Sequence, residues 1–304
     1  MIKNKSSYYT SEKIFNSEIK KLKLNYPVYV TDLNKLKNVG DYVLFNFYGE
    51  EYIAAKSKTK ISIFQNRCLH RSFPLKKNKH GNEKIICPYH GWFYNYEGKL
   101  IGIPKKECFK NLPKNKFLNQ LQPEICGQFL FASYKKGNLK KNFGKLFKVI
   151  EKISNNINRS EFSDSIEVNA NWKLCVENSL DEYHIVNVHP NTAGYYGYMK
   201  NFKYFEDGKN LILFSSENQQ DTLDYKKFCK DVSIGKIDYS GYKIFNIFPS
   251  FSLIVYFGFV SFTNFHIVSS KKTINNIEVF SLKDKKVSEG YAKKFVENFF
   301  TKLV

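Results

Sequence analysis

The chain has 304 residues, of which 42% are hydrophobic, 17% aromatic and 25% charged. This composition predicts one large or two ordinary globular domains and excludes a disordered chain, which would be poor in aromatic residues. The formal net charge is +20, but only three of the 48 basic residues are arginine. Because nucleic-acid recognition relies on the bidentate guanidinium group, we expect no nucleic-acid partner.

The cysteines and the N-terminus indicate a compartment. Six cysteines could form a secreted disulfide framework on count alone, but the segment from Met1 to Thr10 is polar and lacks the apolar core of a signal peptide. The most apolar stretch, from Phe251 to Phe265, is shorter than the roughly 20 residues that a membrane helix needs. We therefore expect a cytoplasmic protein without a membrane segment, in which some cysteines bind metal.

The first part of the chain predicts a helix and then a small all-β domain. Apolar spacing predicts a helical segment within residues 1–25, over Ser11–Leu24. From 26 to 134, short β-prone runs alternate with turn signals, and Glu97-Gly98 predicts a hairpin turn. The predicted strands are Tyr42–Tyr48, Ile61–Gln65, Lys84–Cys87, Trp92–Tyr96 and Gln128–Ser133.

The remaining residues, 135–304, predict a second domain of α+β class. Helical spacing covers Phe143–Ile157, and Asn171–His189 is also predicted to be helical. Aromatic-rich strands are predicted over Tyr242–Ile267, interrupted at Pro249, and over Thr273–Leu282. A final amphipathic helix over 291–304 lacks a stop signal, so we expect a sequence that is cut short.

Two short segments that each contain one cysteine and one histidine form the first chemical motif. Cys68-Leu69-His70-Arg71 is followed by Cys87-Pro88-Tyr89-His90-Gly91-Trp92. Two thiolates and two imidazoles could bind zinc or a [2Fe–2S] cluster with histidine on one iron, and the spacing alone does not decide. Zinc sites usually place like ligands together, whereas here each loop offers one cysteine and one histidine and could serve two irons.

A second motif lies about a hundred residues later. His184 and His189 are five residues apart and could share a metal with a carboxylate, as in the facial triad of non-haem Fe(II) oxygenases. Asp181 precedes His184 by three residues, so it could accept a hydrogen bond from the imidazole nitrogen that does not bind metal. Glu177, one turn earlier, could extend this polar network.

Together the two motifs resemble the catalytic α subunit of Rieske non-haem iron oxygenases, in the branch of ring-hydroxylating dioxygenases and choline and carnitine monooxygenases. The resemblance implies a small all-β Rieske domain followed by an antiparallel sheet around a helix. It assigns Cys68 and Cys87 to one iron of the cluster and His70 and His90 to the other. It also implies that His184 and His189 bind a mononuclear Fe(II).

The resemblance further implies the partners and the reaction. A reductase, directly or through a ferredoxin, would deliver NAD(P)H-derived electrons for the hydroxylation or demethylation of a small organic substrate by dioxygen. The basic surface could attract an acidic donor protein. Family members are trimers, in which Asp181 would link His184 to His90 of the partner subunit.

Two departures from the family pattern concern individual positions. Ser72 stands where the family often has glycine. The third iron ligand of the family is a carboxylate near the C-terminus, which we expect beyond Val304. Glu297, the only acid of the final helix, is the alternative.

The motifs alone are compatible with two other functions and with several kinds of substrate. A Rieske electron-transfer protein without oxygenase activity and a zinc-stabilised binding module are the alternatives to an oxygenase. Aromatic residues around Tyr195–Tyr198 and Phe245–Phe259 fit an apolar, aromatic or cationic substrate, or simply a sheet core. The other four cysteines are predicted to be small buried side chains: Cys108, Cys126, Cys175 and Cys229.

Overall fold

A computed structural model describes residues 5–181, 183–188, 201–216, 225–234, 236, 242–256 and 259–283. The chain divides into two compact units. The small unit comprises Lys20–Leu139, and the large unit comprises Met1–Ile19 together with Lys140–Val304.

The helices of the described residues agree in part with the helical spacing of the sequence. The predicted N-terminal helix is confirmed as α2, and the helix predicted after residue 143 is confirmed as α4. None of the helices in the described ranges has the length and hydrophobicity to cross a membrane. The helices are α1 (Ser7–Thr10), α2 (Glu12–Asn25), α3 (Asn138–Phe143), α4 (Leu146–Asn155), α5 (Trp172–Leu180), α6 (Ile185–Val188) and α7 (Tyr225–Ser233).

The small unit is built from antiparallel strands, as its alternating β-prone runs predict. Seven strands form one sheet in the order β1-β10-β9-β4-β3-β2-β5, and three form a second sheet in the order β6-β7-β8. The strands are β1 (Val28–Asp32), β2 (Tyr42–Phe47), β3 (Glu50–Lys56), β4 (Ile61–Gln65), β5 (His80–Gly81), β6 (Ile85–Ile86), β7 (Phe93–Tyr94), β8 (Leu100–Gly102), β9 (Gln120–Cys126) and β10 (Phe129–Ser133).

The hairpin predicted at Glu97-Gly98 is confirmed between β7 and β8. The Gly98 N–H donates to the Asn95 carbonyl oxygen at 3.0 Å, and Gly98 has φ +76°. A Cβ atom at Gly98 would lie 2.8 Å from Cγ of the fully buried Phe64. The turn therefore requires glycine both for its left-handed backbone and for its close approach to the core.

We expect Gly98→Ala to lower the free energy of unfolding by about 3 kcal/mol, because backbone strain and overpacking add. Urea denaturation followed by circular dichroism measures this loss. Gly49→Ala is the matched control, since Gly49 also has a positive φ, +92°, but a Cβ there meets no atom within 4 Å. A loss as large at Gly49 as at Gly98 would contradict the role of Phe64.

The large unit contains a seven-stranded antiparallel sheet in the order β11-β17-β16-β15-β14-β13-β12. The aromatic strands predicted over Tyr242–Ile267 and Thr273–Leu282 are confirmed, with the turn Phe248–Ser250 at the predicted interruption. The strands are β11 (Ile157–Val168), β12 (Asn201–Asp207), β13 (Asn210–Ser216), β14 (Tyr242–Ile247), β15 (Phe251–Tyr256), β16 (Phe259–Ser269) and β17 (Lys272–Leu282).

Helix α5 packs against β16 and β17 of this sheet. Asn171 caps the helix, because its side-chain oxygen accepts from the Lys173 N–H at 3.1 Å. The Asn171 amide nitrogen also donates to the Ser270 carbonyl oxygen at 3.0 Å, which ties the start of α5 to the loop before β17. Trp172 and Cys175 are buried on the side of α5 that faces the sheet.

The predicted helix over Asn171–His189 is shorter than expected. Helix α5 ends at Leu180, and Asp181 has an extended backbone with ψ 102°. The Asp181 carboxylate accepts from the Tyr183 N–H at 3.0 Å, which is the local side-chain bond by which aspartate competes with a helix. A separate turn of helix, α6, follows.

Candidate metal centres

The two loops of the small unit that each carry a cysteine and a histidine share the same backbone geometry. The Ser72 N–H donates to the Cys68 carbonyl oxygen at 2.8 Å, and the Gly91 N–H donates to that of Cys87 at 2.9 Å. Both Ser72 and Gly91 have positive φ angles, +56° and +70°. Glycine adopts this backbone without strain, so Ser72 is the costlier of the two turn residues.

The two thiols meet in the core of the small unit. Cys68 and Cys87 are each 2% exposed and belong to a hydrophobic cluster that also contains Trp92 and Tyr94. Their side chains lie within hydrogen-bonding distance of each other, and burial raises the pKa of the Cys68 thiol. The Tyr94 hydroxyl lies 3.3 Å from the Cys68 sulfur and accepts from the Leu69 N–H at 2.9 Å.

The two imidazoles form a second pair. The ring centroids of His70 and His90 are 4.6 Å apart, and His70 stacks on Trp92 at 5.0 Å. Burial, together with His90 and Arg71, lowers the pKa of His70, which favours the neutral imidazole that metals bind. The Nδ1 atom of His70 is buried and has no hydrogen-bond partner in the part of the chain that the structure describes, so it is available to a metal.

This arrangement fits a two-iron cluster better than a single zinc ion. Zinc requires about four ligands around one point. Here the thiols of Cys68 and Cys87 form one pair and the imidazoles of His70 and His90 form another. A thiol pair beside an imidazole pair instead offers two ligands to each of two irons, as in a cluster in which histidine replaces cysteine on one iron.

Tyr94 is a functional candidate that the sequence alone does not reveal, because spacing does not mark a phenol as the neighbour of a thiol. Burial raises the pKa of Tyr94, so its hydroxyl stays protonated. Since the Tyr94 oxygen already accepts from Leu69, its proton can be donated to the Cys68 sulfur. A hydrogen bond to a ligand sulfur stabilises the reduced, more negative state of a cluster.

We expect Tyr94→Phe to lower the reduction potential of the cluster by roughly 40 mV, the equivalent of about 1 kcal/mol for one electron. A spectroscopic redox titration measures the change. Tyr89→Phe is the control, because the Tyr89 ring contacts His90 at 4.0 Å on the imidazole side. An unchanged potential in Tyr94→Phe would rule out a bond from Tyr94 to the ligand sulfur.

The second motif lies where α5 ends in the large unit. The His184 Nδ1 atom lies 3.5 Å from an Asp181 carboxylate oxygen. The contact was expected from helical spacing, but it arises in the turn that follows α5. The His184 side chain is 22% exposed and that of Asp181 is 52% exposed. With Nδ1 beside the carboxylate, Nε2 is the nitrogen that can bind a metal.

Glu177 is placed differently from the expected polar network. The Tyr9 hydroxyl donates to its two carboxylate oxygens at 3.0 and 3.1 Å. The Lys173 ammonium group pairs with Glu18 at 2.6 Å, so two side chains from the N-terminal helices hold α5. Among the bonds of the described residues, none joins Glu177 to Asp181 or His184, so its contact with Tyr9 suits support of the helix.

The remaining candidates are residues outside the described ranges and the other cysteines. His189, Glu297 and the segment Tyr195–Tyr198 lie outside the described residues. Of the other cysteines, Cys126 and Cys175 are buried as predicted. The prediction for Cys108 is wrong, because this residue is exposed in a short helical turn at the surface. The side chain of Cys229 is not among the described ones.

Two family models match the chain. Residues 27–114 match the Rieske [2Fe-2S] domain, and residues 159–302 match the catalytic domain of the ring hydroxylating alpha subunit. The chain combines a Rieske [2Fe-2S] domain with the catalytic domain of a ring hydroxylating alpha subunit. In this family the Rieske domain binds a [2Fe–2S] cluster and the catalytic domain uses a mononuclear iron.

Curated relatives and solved structures agree with the family. Putrescine 2-hydroxylase of Ralstonia nicotianae is 27% identical over 60% of this chain and 48% of its own length. The carnitine monooxygenase oxygenase subunit of Escherichia coli is 26% identical over 60% of this chain and 51% of its own length. The chain thus spans about half the length of the curated relatives it matches.

The fold is shared with two solved oxygenases. The quaternary ammonium Rieske monooxygenase CntA superposes with a TM-score of 0.80 at 17% identity, over 97% of this chain and 80% of CntA. Naphthalene 1,2-dioxygenase from Rhodococcus sp. gives 0.78 at 16% identity, over 98% and 79%. The expected fold class, a small all-β domain followed by an antiparallel sheet with few helices, is confirmed.

Proposed function

We propose that this chain acts in the oxygenase component of a multicomponent Rieske oxygenase that hydroxylates or demethylates a small organic substrate. Family membership supports the reaction class. The observation that carries the proposal is that one chain combines two sets of side chains that suit iron ligation. A buried thiol pair lies beside an imidazole pair in the small unit, and a carboxylate lies beside a histidine in the large unit.

The proposed roles of the small-unit residues follow from their chemistry. Cys68 and Cys87 hold one iron of the cluster as thiolates, and His70 and His90 hold the other as neutral imidazoles. The hydrophobic surroundings of the thiols keep water away from this end of the site. The imidazole end is more open, because His90 is exposed and can meet another protein surface.

In the large unit, His184 and His189 are the proposed ligands of the mononuclear iron, with a carboxylate as the third. When bound, this iron supplies the open coordination positions at which dioxygen reacts. Asp181 orients the His184 ring and fixes which nitrogen faces the metal. Glu177, through Tyr9, supports the helix that leads to this turn.

The partners and the assembly belong to the same proposal. Members of the family work with a reductase or a ferredoxin and form oligomers. We place this chain in a homotrimer supplied with NAD(P)H-derived electrons, in which Asp181 links His184 to His90 of the partner subunit. The half-exposed Asp181 carboxylate suits such a contact. Cysteines that bind a metal as thiolates are typical of a reducing compartment, so a cytoplasmic location is part of the proposal. The boundaries at 25/26 and 134/135 remain part of this proposal.

The test is the iron and acid-labile sulfide content of anaerobically purified protein, together with its visible spectrum. We expect about three irons and two sulfides per chain, because the two ligand sets require a cluster and a single iron. About two irons and two sulfides would leave the mononuclear site empty and favour an electron-transfer protein. A protein that contains zinc and no acid-labile sulfide would contradict the proposal.

A further inference from the structure

One side of the large sheet can be assigned to α5 residue by residue. The Thr273 hydroxyl on β17 donates to the carbonyl oxygen of Ala170, directly before α5, and α5 contacts β16 and β17. The Cys175 thiol of α5 also hydrogen-bonds the Thr273 side chain. Because side chains alternate along a strand, every second residue from Thr273 lies on this side, which we define as the α5 face.

Cross-strand pairs extend the α5 face to the middle of the sheet. Thr273 is opposite Ile267 on β16, and Thr263 lies on the same side as Ile267, four residues earlier. Thr263 is opposite Ser252 on β15, and Ser252 is opposite Asn246 on β14. Asn246, Ser252 and Thr263 therefore form a row of neutral polar side chains across three neighbouring strands.

Two residues of this row have buried polar atoms without a partner in the described part of the chain. Asn246 is 5% exposed and Ser252 is 2% exposed, and neither Asn246 Nδ2 nor Ser252 Oγ makes a hydrogen bond. Opposite residues of antiparallel strands have Cβ atoms about 5 Å apart, so both side chains can reach one small group. A buried donor without a partner is unfavourable, and two such donors opposite each other offer a place where one oxygen of another molecule can complete both bonds.

The charge of the α5 face restricts that molecule. Within the described residues, strands β13 to β17 place no Lys, Arg, Asp or Glu on this face, whereas the exposed acids Asp164 and Glu206 lie on it at the two edge strands. Lys243, Glu278 and His266 lie on the opposite face. The Asn246 amide nitrogen can only donate, and the Ser252 hydroxyl can donate as well. A buried carboxylate or ammonium group would need an opposite charge, whereas an uncharged oxygen needs only a donor.

We infer that Asn246 and Ser252 bind an uncharged carbonyl or hydroxyl oxygen of the substrate. The substrate class is therefore a neutral, oxygen-bearing small molecule. This inference rests on the proposed function, because it takes the α5 face as the side on which the substrate binds. The two residues determine specificity and position the substrate, and they take no part in metal binding.

The test compares two probes of the same shape by sealed equilibrium dialysis with the purified holoprotein. Acetophenone carries a carbonyl oxygen, and in α-methylstyrene a CH2 group replaces that oxygen. We expect acetophenone to bind about tenfold more tightly, the effect of one buried hydrogen bond. The double substitution Asn246→Leu and Ser252→Ala should abolish this preference without lowering the free energy of unfolding, because neither the amide nitrogen nor the hydroxyl that it removes has a partner in the described part of the chain.

Ser281→Ala is the matched control. The Ser281 hydroxyl is buried on the α5 face and also lacks a partner in the described chain, but it lies opposite Phe259. Four residues of strand, roughly 13 Å, separate Phe259 from Thr263. This variant should keep the preference for acetophenone.

Three results would overturn the inference. These are equal affinity for the two probes (absence of binding included), a double variant that keeps the preference, and tighter binding of benzoate than of acetophenone. Iron and sulfide analysis of the same samples separates this failure from that of the proposed function. If iron and sulfide are complete but acetophenone is not preferred, only the inference is contradicted. If iron and sulfide are missing, the proposed function is contradicted.

Discussion

Replacing Cys87 by alanine is expected to remove the whole cluster from the protein. A [2Fe–2S] cluster needs both thiolates of its cysteine-bound iron, and Cys87 lies beside Cys68 in a buried, apolar cluster with no substitute thiol or carboxylate among its members. We expect acid-labile sulfide to fall from about two per chain to none and iron to fall from about three to one. The visible absorption of the cluster should disappear with them.

Cys108→Ala is the matched control for this loss. Cys108 belongs to the same small unit, but its side chain is exposed, so its removal should leave iron, sulfide and spectrum unchanged. Circular dichroism of both variants checks that the sheets still form, because an alanine at Cys87 also leaves a small cavity. Retention of two sulfides in a folded Cys87→Ala protein would contradict the assignment of this thiol to the cluster.

The strands that the sequence predicts well are those with a regular apolar pattern. Ile61–Gln65 has the same bounds in the structure as in the prediction, because buried β-branched and aromatic residues dominate it. Strand β11 was not predicted, although it has 12 residues. It is an edge strand with mostly exposed polar side chains, and its pairing with β17 supplies the stability that its composition lacks. Strand β9 was hidden by Pro123, which normally argues against a strand.

In the candidate sites too, the sequence predicts local patterns but not contacts between distant residues. The ligand motifs are local, so short spacing was enough to propose Cys68, His70, Cys87 and His90. Contacts between distant parts of the chain have no local signal. Tyr9 and Glu177 are 168 residues apart in the sequence, and the Tyr94 contact with Cys68 depends on how a hairpin packs on a loop. The turn at Asp181 depends on a single side-chain bond that competes with the helix.

Replacing His184 by alanine is expected to remove the mononuclear iron and leave the cluster intact. Two histidines and a carboxylate are the minimum set for such an iron, so the loss of one imidazole should empty the site. We expect iron to fall from about three to two per chain, with sulfide unchanged at about two. Substrate-dependent dioxygen consumption with a reductase should fall by about 100-fold or more, because the metal site itself is lost.

Asp181→Asn tests the contact that holds His184. The amide keeps the shape of the carboxylate but loses the charge beside His184 Nδ1, so we expect a 10- to 100-fold loss of iron affinity or activity with the cluster unaffected. His80→Ala is the control for removal of an imidazole, because His80 is exposed on the short edge strand β5. If His184→Ala keeps three irons per chain, the third iron is bound elsewhere. The turn after α5 would then be a structural feature of the large unit, and Asp181→Asn would change stability but not iron content.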